Sequence, residues 1–336
     1  MPKTIRNVFY PALTYENLMQ AHLHSRKGKL NRTAVIKFNL KQEEYIMWLC
    51  EALRNKTYKH GGYKTFYVFE PKVRKVETSR YLDRVVHTWY VEQFLYKYFV
   101  PCFIRNSYAC IKNRGMHQAA LDVQKAMRIC KKIYGEYYIL KMDVSKFFAS
   151  INKDILYEIV AKKVKDPDLL WLTKLIIYSK NDDGIPIGNF PSQIFANIYL
   201  NELDQYVKHQ LHVRFYYRFM DDMVIMLKDK NELKIVLSKI IDFLASTLKL
   251  SLNSKTNIFK CKQGVNFCGY KINEYRIKLR DKGKKKLKKK VKFLTKQVKL
   301  GNMDAKEAKR FLTGHYGYIK YADVYNLTSK IFINQG

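Results

Sequence analysis

The stretch Val213-Arg214-Phe215-Tyr216-Tyr217-Arg218-Phe219-Met220-Asp221-Asp222-Met223-Val224-Ile225-Met226-Leu227 reads as an apolar strand, a pair of acids and a second apolar strand. A polar doublet between two apolar runs is a β-hairpin signature, with Asp221 and Asp222 at the turn. Two adjacent carboxylates are electrostatically awkward. Like charges about 4 Å apart repel by roughly 4 kcal/mol at an effective dielectric of 20. Water relieves this at a surface turn, and a divalent metal relieves it at a functional site. Taken alone, such a doublet is a solvated turn more often than a site.

A third acid changes the weighing. Tyr138–Met142 is a short continuous apolar strand that ends on Asp143, and such a strand can lie beside the hairpin in one sheet. Around these elements the chain alternates. Residues 13–60 read as helices with a strand-like break near Ala34–Phe38. Thr65–Glu70 alternates like a strand and runs through Pro71 into the basic stretch Lys72-Val73-Arg74-Lys75. Apolar positions from Ser79 to Phe99 follow helical spacing. Helices are expected from Asn152, over 190–210 and over about 231–248, and strands around 264–280. From Lys282 the composition shifts to a lysine-rich helix followed by two more helices, which places a boundary near 276–282.

Charge narrows the partners. Of 336 residues, 63 are Lys or Arg and 29 are Asp or Glu, a formal net charge of +34 that far exceeds what solubility requires. A polyanion neutralises such a surface most economically, and that points to nucleic acid. The 26 tyrosines and 19 phenylalanines supply a core and an exposed minority able to stack on bases. No lipidation motif, signal peptide or apolar run of membrane-spanning length is present, so a cytoplasmic setting is expected. The six cysteines form no Cys-x-x-Cys pair and have no histidine at zinc-finger spacing, and they read as reduced thiols.

Three carboxylates at strand ends, oxygen-only and hence suited to Mg²⁺, on a polycationic chain make phosphoryl transfer on nucleic acid the leading reaction class. The order of motifs resembles that of reverse transcriptases. Leu140-Lys141-Met142-Asp143-Val144-Ser145-Lys146-Phe147-Phe148 comes first, then Gly184-Ile185-Pro186-Ile187-Gly188-Asn189-Phe190-Pro191-Ser192-Gln193, then Tyr217-Arg218-Phe219-Met220-Asp221-Asp222. Leu250-Ser251-Leu252-Asn253-Ser254-Lys255 and Phe267-Cys268-Gly269-Tyr270 follow. The resemblance covers about 60–275. It implies an α+β, right-hand polymerase fold: N-terminal helices and fingers over 1–135 with returns within about 150–185, an antiparallel palm over 136–276 and a helical thumb over 277–336.

The resemblance also implies roles. Asp143 and Asp221 would bridge two Mg²⁺ ions (or Mn²⁺), with the Val144 carbonyl as a further ligand and Asp222 in support. Phe148 would exclude a ribose 2′-hydroxyl from the incoming dNTP. Lys72 and Arg74 would grip its triphosphate, a task for which the planar guanidinium is suited. Ile187, Gly188 and Gln193 would line the nascent base pair, and Lys255 would neutralise the leaving pyrophosphate. Phe267-Cys268-Gly269-Tyr270 would hold the primer, and Lys284, Lys288 and Lys292 would contact phosphates. The bland readings are, in turn, core aromatics, a general basic surface, a plain hairpin and a solvated helix face.

Most reverse transcriptases carry Gln before the glycine of the middle motif and Ser-Pro at its end, where this chain has Ile187-Gly188 and Ser192-Gln193. That variant resembles the reverse transcriptases of bacterial and phage diversity-generating retroelements. Phe69-Glu70-Pro71-Lys72-Val73-Arg74, Tyr108-Ala109-Cys110 with Gly115-Met116-His117, and Gly314-His315 with Ala322-Asp323 and Asn326-Leu327 share the likeness. It implies error-prone cDNA made from a template-repeat RNA, a structured element RNA and a small basic helical accessory protein that oligomerises. Phe190-Pro191 stands where Leu-Thr is usual, and Phe219-Met220 where Tyr-Met or Tyr-Val is commoner. These departures keep open an antiphage-defence reverse transcriptase copying a noncoding RNA. A catalytically idle RNA-binding scaffold and a group II intron maturase are the remaining alternatives.

Overall fold

Side-chain caps start several of the helices. Thr14 accepts from the Asn17 N–H at 3.2 Å and opens the Tyr15–Ser25 helix. Asn152 accepts from Ile155 N–H at 3.0 Å to open Lys153–Lys163, and Asp166 accepts from Leu169 N–H at 3.0 Å to open Pro167–Ile177. Each cap satisfies a donor that the first helical turn leaves orphaned. The computed structural model describes residues 4–69, 73–180 and 182–333. Its chain packs as two compact units, one formed by Met1–Ile104, Val144–Gln210 and Ile240–Leu252, the other by Arg105–Asp143, Leu211–Lys239 and Asn253–Gly336.

In the first unit the only strands among the described residues are β1 (Tyr63–Val68) and β2 (Arg74–Ser79), an antiparallel ribbon with Tyr63 opposite Ser79 and Val68 opposite Arg74. The rest is helical, including Gln42–Arg54, Tyr81–Tyr90 and the long Phe190–Gln205 helix, which buries Ile194, Phe195, Ile198, Tyr199 and Leu200. The strand-like break expected at Ala34–Phe38 is instead part of a helix, Thr33–Leu40. Val35 and Phe38, three residues apart, are buried on one side of it, and Phe38 stacks on His22 at 4.6 Å. With no neighbouring strand to pair, the β-branched run follows the helical period.

The second unit carries β3 (Tyr138–Asp143), β4 (Phe215–Phe219), β5 (Asp222–Leu227) and β6 (Asn257–Lys260), in the spatial order β4-β5-β3-β6 with every neighbour antiparallel. Val224, Met226, Ile139 and Phe215 of this sheet share one apolar core with Ala119, Val123, Met127 and Cys130 of the Met116–Tyr134 helix. That core continues into β7 (Val265–Phe267), β8 (Tyr270–Ile272) and β9 (Ile277–Leu279), a second antiparallel sheet. It also takes in Leu287, Val291 and Leu294, the buried stripe of the lysine-rich Asp281–Lys299 helix. The composition shift expected near 276–282 coincides with the start of that helix, while the unit itself runs on without a break. Among the described residues no helix is long and apolar enough to cross a membrane.

Candidate active site

Strand register sets two of the acids opposite each other and puts the third in the adjoining turn. Asp143, the last residue of β3, is the register partner of Asp222, the first of β5. Asp222 also pairs with Phe219, leaving Met220 and Asp221 as a two-residue turn. Met220 adopts φ +57°, a left-handed conformation that costs a residue with a Cβ roughly 1–2 kcal/mol. Arg218 supports it. This arginine is 0% exposed, and its Nη1 donates to the Met220 carbonyl at 3.1 Å. Its backbone is held on the outer side by Asn106 and Tyr108: Arg218 N–H donates to Asn106 O at 2.9 Å and Tyr108 N–H to Arg218 O at 3.1 Å.

Lys141 stands two residues before Asp143 on the same face of β3. Its ammonium is ion-paired with the Asp222 carboxylate and lies 5.1 Å from the centre of the Phe267 ring. Burial lowers its pKa to about 8, against the opposing pull of Asp143, Cys268 and Asp221. One lysine therefore connects the acids to the Phe267-Cys268-Gly269-Tyr270 turn. That turn is tight, with Cys268 at φ +49° and Gly269 at φ +85° between paired Phe267 and Tyr270. His117 Nδ1 meets the Tyr270 hydroxyl at 2.7 Å and its ring stacks on Tyr321 at 4.5 Å, a packing role. Lys255 follows an Asn253 whose N–H donates to the Asp143 carbonyl at 2.7 Å and whose side chain accepts from Lys255 N–H at 3.1 Å. The lysine is thereby tethered to the end of β3, with its side chain exposed.

Both ends of the Lys141–Asp222 pair are partly exposed, 20% and 33% of their side-chain surface. Replacing Lys141 with Met is expected to destabilise the fold by about 1–2 kcal/mol, less than the loss typical of a fully buried pair. Added Mg²⁺ should restore part of that loss, because a cation again separates facing carboxylates. Thermal melts of both forms with and without Mg²⁺ check this, and equal melting temperatures in its absence would refute the pairing.

The donor set is oxygen-only, as a hard cation requires. Among the described residues no three His, Cys, Asp or Glu side chains close a metal cage. An open site fits that arrangement, since Mg²⁺ keeps waters and takes substrate phosphates as ligands.

Of the remaining sequence-marked residues, Lys284, Lys288 and Lys292 lie on the lysine-rich helix of the second unit, Lys284 half-buried and the other two exposed. The others belong to the first unit, with Val144 buried and bridged to Leu252. The Ile187 carbonyl accepts from Glu77 N–H of β2 at 2.8 Å. At Gly188, φ +110°, a Cβ would stand 2.7 Å from Val76 Cγ1 and 3.1 Å from Glu77 O, so only glycine lets this loop reach the ribbon. Arg74, exposed, begins the same strand. Ile185 N–H donates to the Phe148 carbonyl at 2.9 Å, which draws Phe148 to the Gly184–Gly188 loop. Phe148 and Ile187 are half-buried and Gln193 is exposed. Lys72 lies outside the described residues. A cavity of about 550 Å³ runs beside Gly188 and Gln193, walled also by Lys29, Arg84 and His87. Burial holds the His87 imidazole neutral, with its pKa lowered to about 3.

Sequence reading passed over Lys141, Arg218 and Glu77. The last is buried on β2, where Lys75 and Lys180 pair with it at 3.2 and 3.1 Å. A signal existed for the first two. Each is a single cation inside an otherwise apolar or aromatic strand, within four residues of an acid.

An antiparallel sheet with facing acids at the ends of its central strands, a basic helix downstream and a separate glycine-anchored loop and ribbon define a right-hand, template-directed polymerase fold. The chain belongs to the reverse transcriptase (RNA-dependent DNA polymerase) family, whose model matches residues 70–272. It is 24% identical over 212 residues to protein YkfC of Escherichia coli K12, covering 49% of this chain and 54% of that one. It is 25% identical over 221 residues to the group II intron-encoded protein LtrA of Lactococcus lactis, covering 62% and 35%. The chain thus spans about half or less of the length of these relatives. In fold it is similar to telomerase from Candida albicans, solved with a fragment of telomeric RNA, at TM-score 0.50 and 13% identity over 88% of this chain and 64% of that one.

Proposed function

We propose that this chain copies RNA into DNA in an error-prone mode, on the template-repeat RNA of a diversity-generating retroelement. The observation that carries the reading is Ile187. It replaces the glutamine usual in reverse transcriptases, its carbonyl is committed to Glu77 N–H, and its side chain is left half-exposed next to Gly188. A glutamine there can hydrogen-bond and penalise a badly shaped pair, whereas isoleucine offers only dispersion and a rigid branch. Strong selectivity comes from polar groups left unpaired by the wrong ligand, so an apolar wall discriminates less.

In this reading Asp143, Asp221 and Asp222, with the Val144 carbonyl, hold two Mg²⁺ ions, which when bound activate the primer 3′-hydroxyl and neutralise the departing pyrophosphate. Arg74 and Lys72 orient the triphosphate, and Phe148 excludes a ribose 2′-hydroxyl. Lys255 places positive charge where negative charge leaves. The Phe267–Tyr270 turn seats the primer end, and Lys284, Lys288 and Lys292 contact backbone phosphates. A small basic helical oligomer and a structured RNA complete the assembly.

The test is sequencing of cDNA made on one defined RNA by wild type and by Ile187→Gln. Wild type is expected to misincorporate most often opposite adenine, and Ile187→Gln to lower that rate about five- to tenfold while still extending the primer. Faithful copying of adenine by the wild type would overturn the mutagenic reading. Phe190-Pro191 and Phe219-Met220 leave room for a second reading, an antiphage-defence enzyme copying a noncoding RNA, and neighbouring genes separate the two.

A further inference from the structure

The second unit contains a basic pocket that these roles touch only through Lys284. It measures about 520 Å³, within the range of small-ligand sites, and its lining includes Arg276, Lys278, Lys284, Asp323, Tyr325 and Asn326. Three cations and one carboxylate line it. That carboxylate is engaged, because Asp323 Oδ2 accepts from Ile277 N–H at 2.9 Å while Asp323 N–H donates to Ile277 O at 2.7 Å. The two bonds clip the 323–327 segment onto β9 and fix that part of the pocket lining.

Arg276 is preorganised as well. Arg276 sits on the β8–β9 turn, where Asn273 Oδ1 accepts from both Tyr275 N–H at 3.0 Å and Arg276 N–H at 2.7 Å. Arg128 Nε donates to the Glu274 carbonyl at 2.8 Å and Tyr137 donates to Glu274 Oε1 at 2.7 Å, tying the turn to the unit's core. Lys284 makes an i,i+3 pair with Asp281, an 88% exposed carboxylate from which a phosphate can readily take it. Beside these cations Tyr325 is 83% exposed.

We propose that this pocket binds one nucleotide of single-stranded RNA, its phosphate on Arg276, Lys278 and Lys284 and its base stacked on Tyr325 with Asn326 at the base edge. Cations tracking the backbone beside an aromatic platform are the general means of holding unpaired bases. A phosphate-only site would have no use for an exposed ring, and a duplex would hide the base faces that the ring needs. The site accounts for Asp323 and Asn326, which the catalytic roles leave unassigned, and its occupancy does not depend on catalysis.

The test is fluorescence anisotropy with three probes at fixed salt: a single-stranded RNA, a blunt RNA–DNA duplex, and the same duplex with a single-stranded RNA overhang. Tyr325→Ala, which changes no charge, is expected to weaken single-strand binding about five- to tenfold and to leave the blunt duplex within twofold. Arg276→Gln should weaken single-strand binding more than Lys289→Gln, a charge-matched change on the exposed face of the lysine-rich helix. Loss on the overhang as well identifies the template strand as a ligand, and loss on the free strand alone identifies RNA outside the copied duplex. The proposal is overturned if Tyr325→Ala changes single-strand binding less than twofold, if it weakens the blunt duplex equally, or if Arg276→Gln matches Lys289→Gln. Unchanged melting temperatures establish that both variants are folded.

Discussion

Asp221→Asn combined with Asp222→Asn is expected to remove DNA synthesis, by at least a thousandfold in primer extension with Mg²⁺, while RNA affinity stays within about threefold. An asparagine keeps the shape of the hairpin but neither the charge nor the second oxygen that a hard cation demands. A thousandfold is about 4 kcal/mol of transition-state stabilisation, on the scale of losing one principal electrostatic contributor. RNA affinity is expected to respond differently, since in the proposed reading it comes from dispersed lysines and arginines within an excess of +34. A second consequence follows from Lys141. With Asp222 neutral, its ammonium loses the carboxylate it is paired with, so Asp222→Asn alone should also lower stability. Undiminished extension by the double variant would refute the assignment, and parallel loss of RNA binding would show that the unit had unfolded.

The other large effect is expected at Gly184→Ala. Gly184 has φ +73°, and a Cβ there would collide with the Phe148 carbonyl oxygen and lie 2.6 and 2.7 Å from Ala149 Cα and C. All three are backbone atoms, so relief requires moving the chain that carries Phe148. Left-handed strain adds about 1–2 kcal/mol and forced overpacking about 1–3 kcal/mol, for a total of roughly 2–5 kcal/mol. Gly28 is the control. It has a similar φ of +68° but nothing within 4 Å of the position a Cβ would take, so Gly28→Ala should cost only the backbone term, about 1 kcal/mol. Denaturant unfolding of both variants reads this difference directly. Because the displacement falls on Phe148, Gly184→Ala should also raise ribonucleotide incorporation relative to deoxynucleotide. Equal destabilisation at Gly184 and Gly28 would mean that the Phe148 segment yields and does not position the ring.

Much of the scaffold was legible in local pattern. The hairpin over Val213–Leu227 has the strand–turn–strand form its apolar runs dictate, the strand ending at Asp143 is present, and the lysine-rich helix buries Leu287, Val291 and Leu294 as its spacing implies. Period and charge are properties of neighbouring residues, so a sequence displays them directly. The same locality explains the misread segment at Ala34–Phe38. A short β-branched run is compatible with either period, and its state is decided by whether a partner strand lies alongside, a fact located elsewhere in the chain.

By itself, then, the sequence displayed the excess of positive charge, the identity of the acids and the elements that carry them. The tertiary structure alone decided that Asp143 faces Asp222, that the Lys141 ammonium lies on that pair, and that a buried Arg218 supports the Met220 turn. It alone decided that Gly188 touches Val76 and that the chain around Asp323 clips onto β9 to wall a pocket. These contacts join residues mostly tens of positions apart, and each depends on strand register and side-chain burial. Those quantities are set by packing within each unit: a shift of one residue between β3 and β5, for instance, would turn Lys141 and Asp143 away from Asp222.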